Sequence, residues 1–412
     1  MHSDKRRRLL QAGAAVGAAT LFAPPFLKYA RGETPIKIGM HDPLTGTYAA
    51  EGESEVNGAK LALAQVNRKG GMLGRPVELV IEDDAANVGT SVQKAHKLLE
   101  KEGCVMLMGA VSSATALAVN QVAHEKGVVY MVTGGHTDPV TGSECHWTTF
   151  RICTTTYMLA AGLVNTLYKK FGKRWYFITP DYAFGHTFQA AYEKILKSLG
   201  GTVLGNSLSP LGTTDFSSYL IKAQSTKPEV LILLVDGQDL VNCMKQAAQF
   251  GLQKKMAIGG GLSELEVMAA LPKEARSGWW TVEWYWNQPK TPHVKEFVSA
   301  YNKAYGKYPS ARSWFGYAGL HALVLGANRA KSVEPAKMAH ALEGMELPPE
   351  VALQPHKIYF RAGDHQLMSS EFPGEIKPDG KYPDLFKVAD IVQGDKIALP
   401  VAQTGCKLDY PG

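Results

Sequence analysis

Residues 104–135, CVMLMGAVSSATALAVNQVAHEKGVVYMVTGG, hold a strand, a helix and a second strand in one run. The apolar stretch Val105–Met108 stops at Gly109, and Ser112 and Ser113 open a segment of helical spacing that ends at Gly127. VVYMVTGG (128–135) then resumes the apolar pattern. Neither strand alternates apolar with polar residues, as a strand does when one face meets water. Both read as covered on two faces, the condition of a parallel sheet packed between helices.

The same rhythm extends in both directions. IKIGM (36–40), VELVIEDD (77–84), RWYFITP (174–180) and VLILLVDG (230–237) read as strands. GAKLALAQVNRKGG (58–71), SVQKAHKLLEKEG (91–103), MLAAGLVNTLYKKFG (158–172), FQAAYEKILKSLGG (188–201) and DLVNCMKQAAQFG (239–251) read as helices, each closing on a glycine. A chain of 412 residues is long for one domain. Two runs of alternating strand and helix predict an α/β protein of two doubly wound, Rossmann-like lobes. Hydrophobic content of 45% with 20% charged residues is that of an ordinary globular chain.

Ligands of such lobes bind beyond the carboxyl ends of the strands, so the loops there carry the functional reading. They are HDPLTGTYAAEGE (41–53), AVSSAT (110–115), GGHTDP (134–139), PDYAFGH (180–186), DGQD (236–239) and GGGLSE (259–264). Hydroxyls, glycines and aromatics dominate them. No G-x-S-x-G elbow, phosphate loop, G-x-G-x-x-G or H-E-x-x-H is present. No cysteine spacing fits a metal site. The chain therefore reads as a binding protein, with no catalytic residue, cofactor or metal expected. Ser112 and Ser113 stand where a helix begins and its N–H groups lack partners. A hydroxyl at that positive end caps the helix and suits a ligand carboxylate. Gly135 in the next loop lets a ligand approach the backbone, Thr137 adds a hydroxyl, and His136 lies between them on the cleft side.

The first 32 residues read as a leader and not as fold. A basic patch, Lys5–Arg8, precedes an Ala-rich apolar run and small residues at Ala30–Gly32. Arg6-Arg7-Arg8-Leu9-Leu10 fits the twin-arginine export pattern. This segment carries six Lys/Arg against one acid, hence five of the formal six positive charges. The exported chain is then near neutral, and a nucleic-acid partner loses its electrostatic basis. Of five cysteines, Cys104 and Cys243 fall in apolar patterns. Cys145 and Cys406 fall in loop-like surroundings and are the expected disulfide, with Cys153 the competing partner.

The string from Ile36 to Ala85, with PLTG, NGA and GG in order before DD, resembles the opening of the Leu/Ile/Val-binding proteins of ABC importers. DYAFGH, LGTTDFSSYLIKAQ and KQAAQFGL extend the resemblance into the second half. It implies a type I periplasmic binding fold: lobes of 33–153 plus 284–357 and of 154–283 plus 358–412, joined by a three-segment hinge. It further implies a periplasmic monomer that closes on a small-molecule ligand and docks on the permease and ATPase subunits of an importer. The alternatives are a ligand-sensing subunit of a signalling system or an exported enzyme on the same fold. Carried onto this sequence, the carboxylate-holding contacts fall on Ser112, Ser113, Gly135 and Thr137. A second-lobe aromatic falls on Phe184, further contacts on Asp236 and Gly237, and the first-loop position on Glu51. The position that neutralises a ligand ammonium falls on Gly261, which has no charge. That departure predicts a carboxylate or amide ligand without an ammonium, and weak leucine binding. The counter-reading supplies the missing charge from Asp236, Glu51 or Glu264.

Overall fold

The strands bury side chains on both faces, and this explains their unbroken apolar runs. The computed structural model describes residues 34–288 and 291–411; the expected leader lies outside them. β1 (Ile36–Asp42), α1 (Ala49–Arg68), β2 (Val77–Asp83), α2 (Val88–His96), β3 (Met106–Gly109), α3 (Ser113–Lys126), β4 (Tyr130–Val132) and β5 (Thr149–Arg151) build the first lobe. Its sheet is parallel throughout, in the order β2-β1-β3-β4-β5. Met106 and Met108 of β3 point into one core with Ile38 and Met40, whereas Leu107 points into the opposite core with Tyr130 and Val132. Burying a side chain of this size contributes about 1.5–3 kcal/mol, and both faces of the central strands β1, β3 and β4 contribute, whereas the edge strand β2 is largely only half-buried.

After β5 the chain crosses to the second lobe. It forms α4 (Thr156–Phe171), β6 (Arg174–Pro180), α5 (Ala183–Ser198), β7 (Thr202–Ser209), α6 (Ser217–Ser225), β8 (Val230–Leu233), α7 (Gly237–Gln249), β9 (Ala257–Leu262), α8 (Leu265–Ala270) and β10 (Trp279–Val282). It then returns to the first lobe as α9 (Val294–Tyr305), α10 (Ala311–Ala330) and α11 (Pro335–Leu342). A last crossing adds β11 (Phe372–Lys381) and β12 (Asp384–Val388). The second sheet runs β12-β11-β10-β9-β8-β6-β7, with β11 and β12 antiparallel at its edge. Of 358–412, expected as part of the second lobe, only the middle lies there. Ile358, Phe360 and Leu367 are apolar and join the first core. The tail also returns to the first lobe, where a disulfide joins Cys406 to Cys145 and Tyr410 packs on Trp147. Cys104, Cys153 and Cys243 are buried free thiols. Among the described residues no helix is long and apolar enough to cross a membrane.

Strand order reverses on either side of β1 and of β6, so loops diverge beyond Asp42 and Gly109 in one lobe and beyond Pro180 and Leu233 in the other. These are the openings at which α/β sheets bind ligands. A second feature aims the side chains there. α1 and α10 meet backbone to backbone at two glycines. A Cβ on Gly58 would collide with the Ser313 carbonyl, and one on Gly316 with the Glu55 carbonyl. Glu55 lies about one turn before Gly58, and Arg312 about one turn before Gly316, so this packing brings the two charged side chains together. Gly316→Ala is expected to destabilise by about 1–3 kcal/mol through overpacking, read as a lower urea midpoint. Gly89→Ala, where the nearest atom to a Cβ is 3.5 Å away, should leave the midpoint unchanged or raise it.

Candidate functional site

The loops at the strand ends of the two lobes face each other and are joined by polar contacts. The Tyr48 and Tyr182 hydroxyls are 2.7 Å apart. Thr137 Oγ1 donates to the Ala183 carbonyl at 3.3 Å and lies 3.0 Å from Thr187 Oγ1. Gln238 N–H donates to the Thr47 carbonyl at 3.2 Å. Ser310 Oγ on the first lobe donates to Glu266 Oε1 on the second at 2.6 Å.

Arg312 lies at the centre of this interface and is buried. Its Nε donates to Glu264 Oε1 at 2.7 Å, Nη1 to Glu55 Oε1 at 3.2 Å, and Nη2 to Asp236 Oδ2 at 3.4 Å. Nη1 also faces the Gly134 carbonyl at 3.4 Å. Glu55 comes from the first lobe, whereas Asp236 and Glu264 come from the second. One guanidinium therefore bridges both. Burial works against its charge, but Glu264, Glu55, Asp236 and Glu51 outweigh burial and hold its pKa above the usual arginine value.

The carboxylates outnumber this cation. Asp42, Glu51, Glu55, Asp236 and Glu264 are all buried around it. Burial raises Asp42, with Glu55 and Asp84 adding to the effect. Burial also raises Glu51, reinforced by Asp236 and Glu264, and raises Asp236, reinforced by Glu264. Glu55 is pushed up to about 7 by burial, with Arg312 and the Thr133 hydroxyl opposing. Asp236 Oδ1, Glu264 Oε2 and Ser112 Oγ are buried and have no hydrogen-bond partner among the described residues. Such atoms are rare in native interiors, and here they cluster where the lobes meet.

Most of the residues expected from the sequence gather here. Ser112 is the N-cap of α3, and its hydroxyl makes no capping bond. Ser113 Oγ accepts from Thr137 N–H at 3.1 Å. Gly135 packs so tightly that a Cβ would collide with Ala116, and its carbonyl accepts from Arg151 Nη1 at 3.1 Å. His136 Nε2 pairs with Glu283, and the Glu283 carboxylate also accepts the Thr154 N–H. Glu283 follows β10 and Thr154 follows β5, both on segments crossing between the lobes, whereas His136 lies in a loop of the first lobe. Burial opposes the Glu283 charge, but His136 outweighs it and keeps the carboxyl below its usual range. Phe184 is buried in the second-lobe core, with its ring centroid 6.0 Å from His136. Gly237 admits the Tyr48 ring, which a Cβ would displace.

Gly261 belongs to β9, and a Cβ there would collide with the Leu233 carbonyl of β8. A buried carboxylate stands three residues later, at Glu264. Sequence reasoning missed Arg312, Glu55, Tyr48, Tyr182 and Glu283. The signal for Arg312 was available: it is the only charged residue between Ala311 and Ala327 of a helix otherwise apolar nearly all round.

Two α/β lobes joined by several crossing segments, with polar strand-end loops facing each other between them, are the architecture of a solute-binding protein. The chain belongs to the periplasmic binding protein family, whose model matches residues 35–381. It is 28% identical over 378 residues to Leu/Ile/Val-binding protein homolog 8 of Brucella melitensis biotype 1, covering 86% of this chain and 92% of that one. Its fold matches a periplasmic binding protein from Burkholderia mallei with TM-score 0.84 and 31% identity, covering 90% of this chain and 98% of that one. An amino acid ABC transporter substrate-binding protein from Pseudomonas fluorescens Pf-5 matches with TM-score 0.81 and 27% identity, covering 91% and 99%. These relatives are named as binding proteins, not enzymes.

The raised pKa of Glu55 fixes one pH dependence. The unfolded carboxyl deprotonates near 4.5, whereas the folded one holds its proton to about 7. Rising pH in that window therefore favours the unfolded chain. Stability of the ligand-free protein should fall from pH 4.5 to 7, and the fall should be smaller in Glu55→Gln. Urea midpoints across that range measure both.

Proposed function

We propose that this protein is the exported receptor of an ABC importer and that it closes over a small amino acid-like ligand bearing a cationic group. The observation that carries the reading is the surplus of buried carboxylate around Arg312 at the junction of the lobes. Burying a charge without a partner costs several kcal/mol. A ligand ammonium placed among Glu51, Asp236 and Glu264 supplies the missing positive charge, so the ammonium-free ligand expected from Gly261 gives way to its counter-reading. At the other end of the cleft, Ser112 Oγ, the first N–H groups of α3, and Ser113, Gly135 and Thr137 suit the ligand carboxylate. Phe184 and Gly237 shape the apolar side, and the His136–Glu283 pair braces the crossing segments. The family resemblance and the amino acid transporter name of the Pseudomonas relative support the same class.

In this reading the first lobe comprises about residues 34–153 with 287–371 and the tail from 401, and the second about 154–286 with 372–400. Cys153 and Leu367 lie in the first core, Tyr285 and Phe372 in the second, and Cys406 and Tyr410 contact the first lobe. The leader is removed near Ala30–Gly32, and the protein works as a monomer with the permease and ATPase subunits of an importer, without a cofactor.

Calorimetric titration with leucine and other neutral amino acids, with the corresponding acids lacking the amine, and with simple amides tests the proposal. An amino acid should bind more tightly than its deaminated counterpart. Each lost hydrogen bond to a charged group is worth about 1.5–3 kcal/mol. Ser112→Ala and Glu264→Gln should each weaken the amino acid by roughly ten- to a hundredfold. Tighter binding of the deaminated acids, unchanged in Glu264→Gln and Asp236→Asn, would overturn the ligand class.

A further inference from the structure

We propose that His124, His146 and Asp409 form a binding site for a divalent transition-metal ion of the zinc class, remote from the ligand cleft. Sequence motifs gave no hint of it, because its three donors come from separated segments. His124 lies in the last turn of α3, His146 in the loop before β5, and Asp409 in the C-terminal tail. One donor atom from each lies within 4.8 Å of the other two, and this is the one such group of three His, Cys, Asp or Glu among the described residues.

The distances fit coordination. His124 Nε2 is 3.4 Å and His146 Nδ1 3.7 Å from the same oxygen, Asp409 Oδ2. Donors around a tetrahedral zinc with bonds of about 2.0–2.2 Å stand about 3.3–3.5 Å apart. Neither contact is a good hydrogen bond at that length. The two imidazoles are stacked, with centroids 3.8 Å apart and planes at 11°. As stacked, the rings hold their lone pairs in nearly parallel planes, so taking one ion requires one imidazole to rotate. Two imidazoles and a carboxylate select zinc or copper over calcium or magnesium, which take oxygen donors. Three protein ligands leave a fourth position for water.

The site is tethered before any metal arrives. Cys145, bonded to Cys406, directly precedes His146, and Asp409 follows Cys406 by three residues. The disulfide therefore keeps the carboxylate beside the imidazoles at high effective concentration. Tyr410, next in the chain, donates to Glu343 Oε1 at 2.7 Å and stacks on His340. A metal here would complete the fastening of the tail to the first lobe.

The test uses the protein as isolated after export, stripped with a chelator and kept under non-reducing conditions so that the disulfide stays closed. Zinc alone is titrated by calorimetry, and cobalt(II) by its visible absorption. We expect one equivalent of zinc, a melting temperature that rises with zinc, and cobalt bands typical of a four-coordinate ion. His146→Ala and Asp409→Asn should each lose about tenfold or more in zinc affinity, with circular dichroism confirming that both fold. His186→Ala, which removes an exposed imidazole on the other lobe, should keep the wild-type affinity. No stoichiometric zinc binding, or equal affinity in His146→Ala, Asp409→Asn and the wild type, would overturn the site and leave a carboxylate–imidazole contact alone. Because no cleft residue takes part, this outcome is independent of the ligand class proposed above.

Discussion

The ion cluster at Arg312 sets the terms on which the two lobes meet. A guanidinium removed from water is tolerable only with partners on every side, and those partners belong to different lobes: Glu55 to one, Asp236 and Glu264 to the other. The closed arrangement is thus held largely by polar contacts. The Tyr48–Tyr182, Thr137–Ala183 and Ser310–Glu266 hydrogen bonds belong to the same pattern. A receptor that must release its cargo benefits from this. An apolar interface of similar extent would hold the lobes together whether or not a ligand lay between them. Here the contacts at the centre of the interface are ion pairs, and on the reading proposed above a charged ligand would change their balance.

The cluster in turn depends on backbone packing outside the cleft. Gly58 and Gly316 let α1 and α10 approach closely enough to place Glu55 against Arg312. The site is also joined to the crossing segments. His136 stands beside Thr137 in a cleft loop, and its partner Glu283 follows β10 directly and accepts the Thr154 N–H just after β5. One carboxylate therefore touches two of the segments that must move when the lobes open. The Arg312 cluster and the His136–Glu283 pair thus lie on the same face where the lobes meet.

The architecture was legible because burial on both faces writes unbroken apolar runs into the sequence, and Gly127 and Gly172 mark where helices stop. Ser112 was legible as a cap because helix starts need one. Arg312 stands out as the one charged residue between Ala311 and Ala327, but its partners exist only when α10 is packed on α1 and faced by the other lobe, and no local pattern encodes that meeting. The loop after β9 has no periodicity to fix its register, so the sequence left Glu264, three residues beyond Gly261, as one of three candidate acids alongside Asp236 and Glu51. Tail residues 406–410 were assigned to the wrong lobe because a short polar segment carries no core pattern. Only the disulfide and Tyr410 show where it lies.

Proton exchange on ligand binding tests the central claim most directly. If buried carboxylates hold protons around Arg312 and a cationic ligand group replaces them, binding must release protons near neutral pH. Calorimetric titration of a bound amino acid at pH 6.5–7, repeated in buffers of different ionisation enthalpy, gives the number exchanged. The account predicts net release that shrinks in Glu55→Gln and Asp236→Asn. Proton uptake, or no exchange with undiminished affinity, would contradict it.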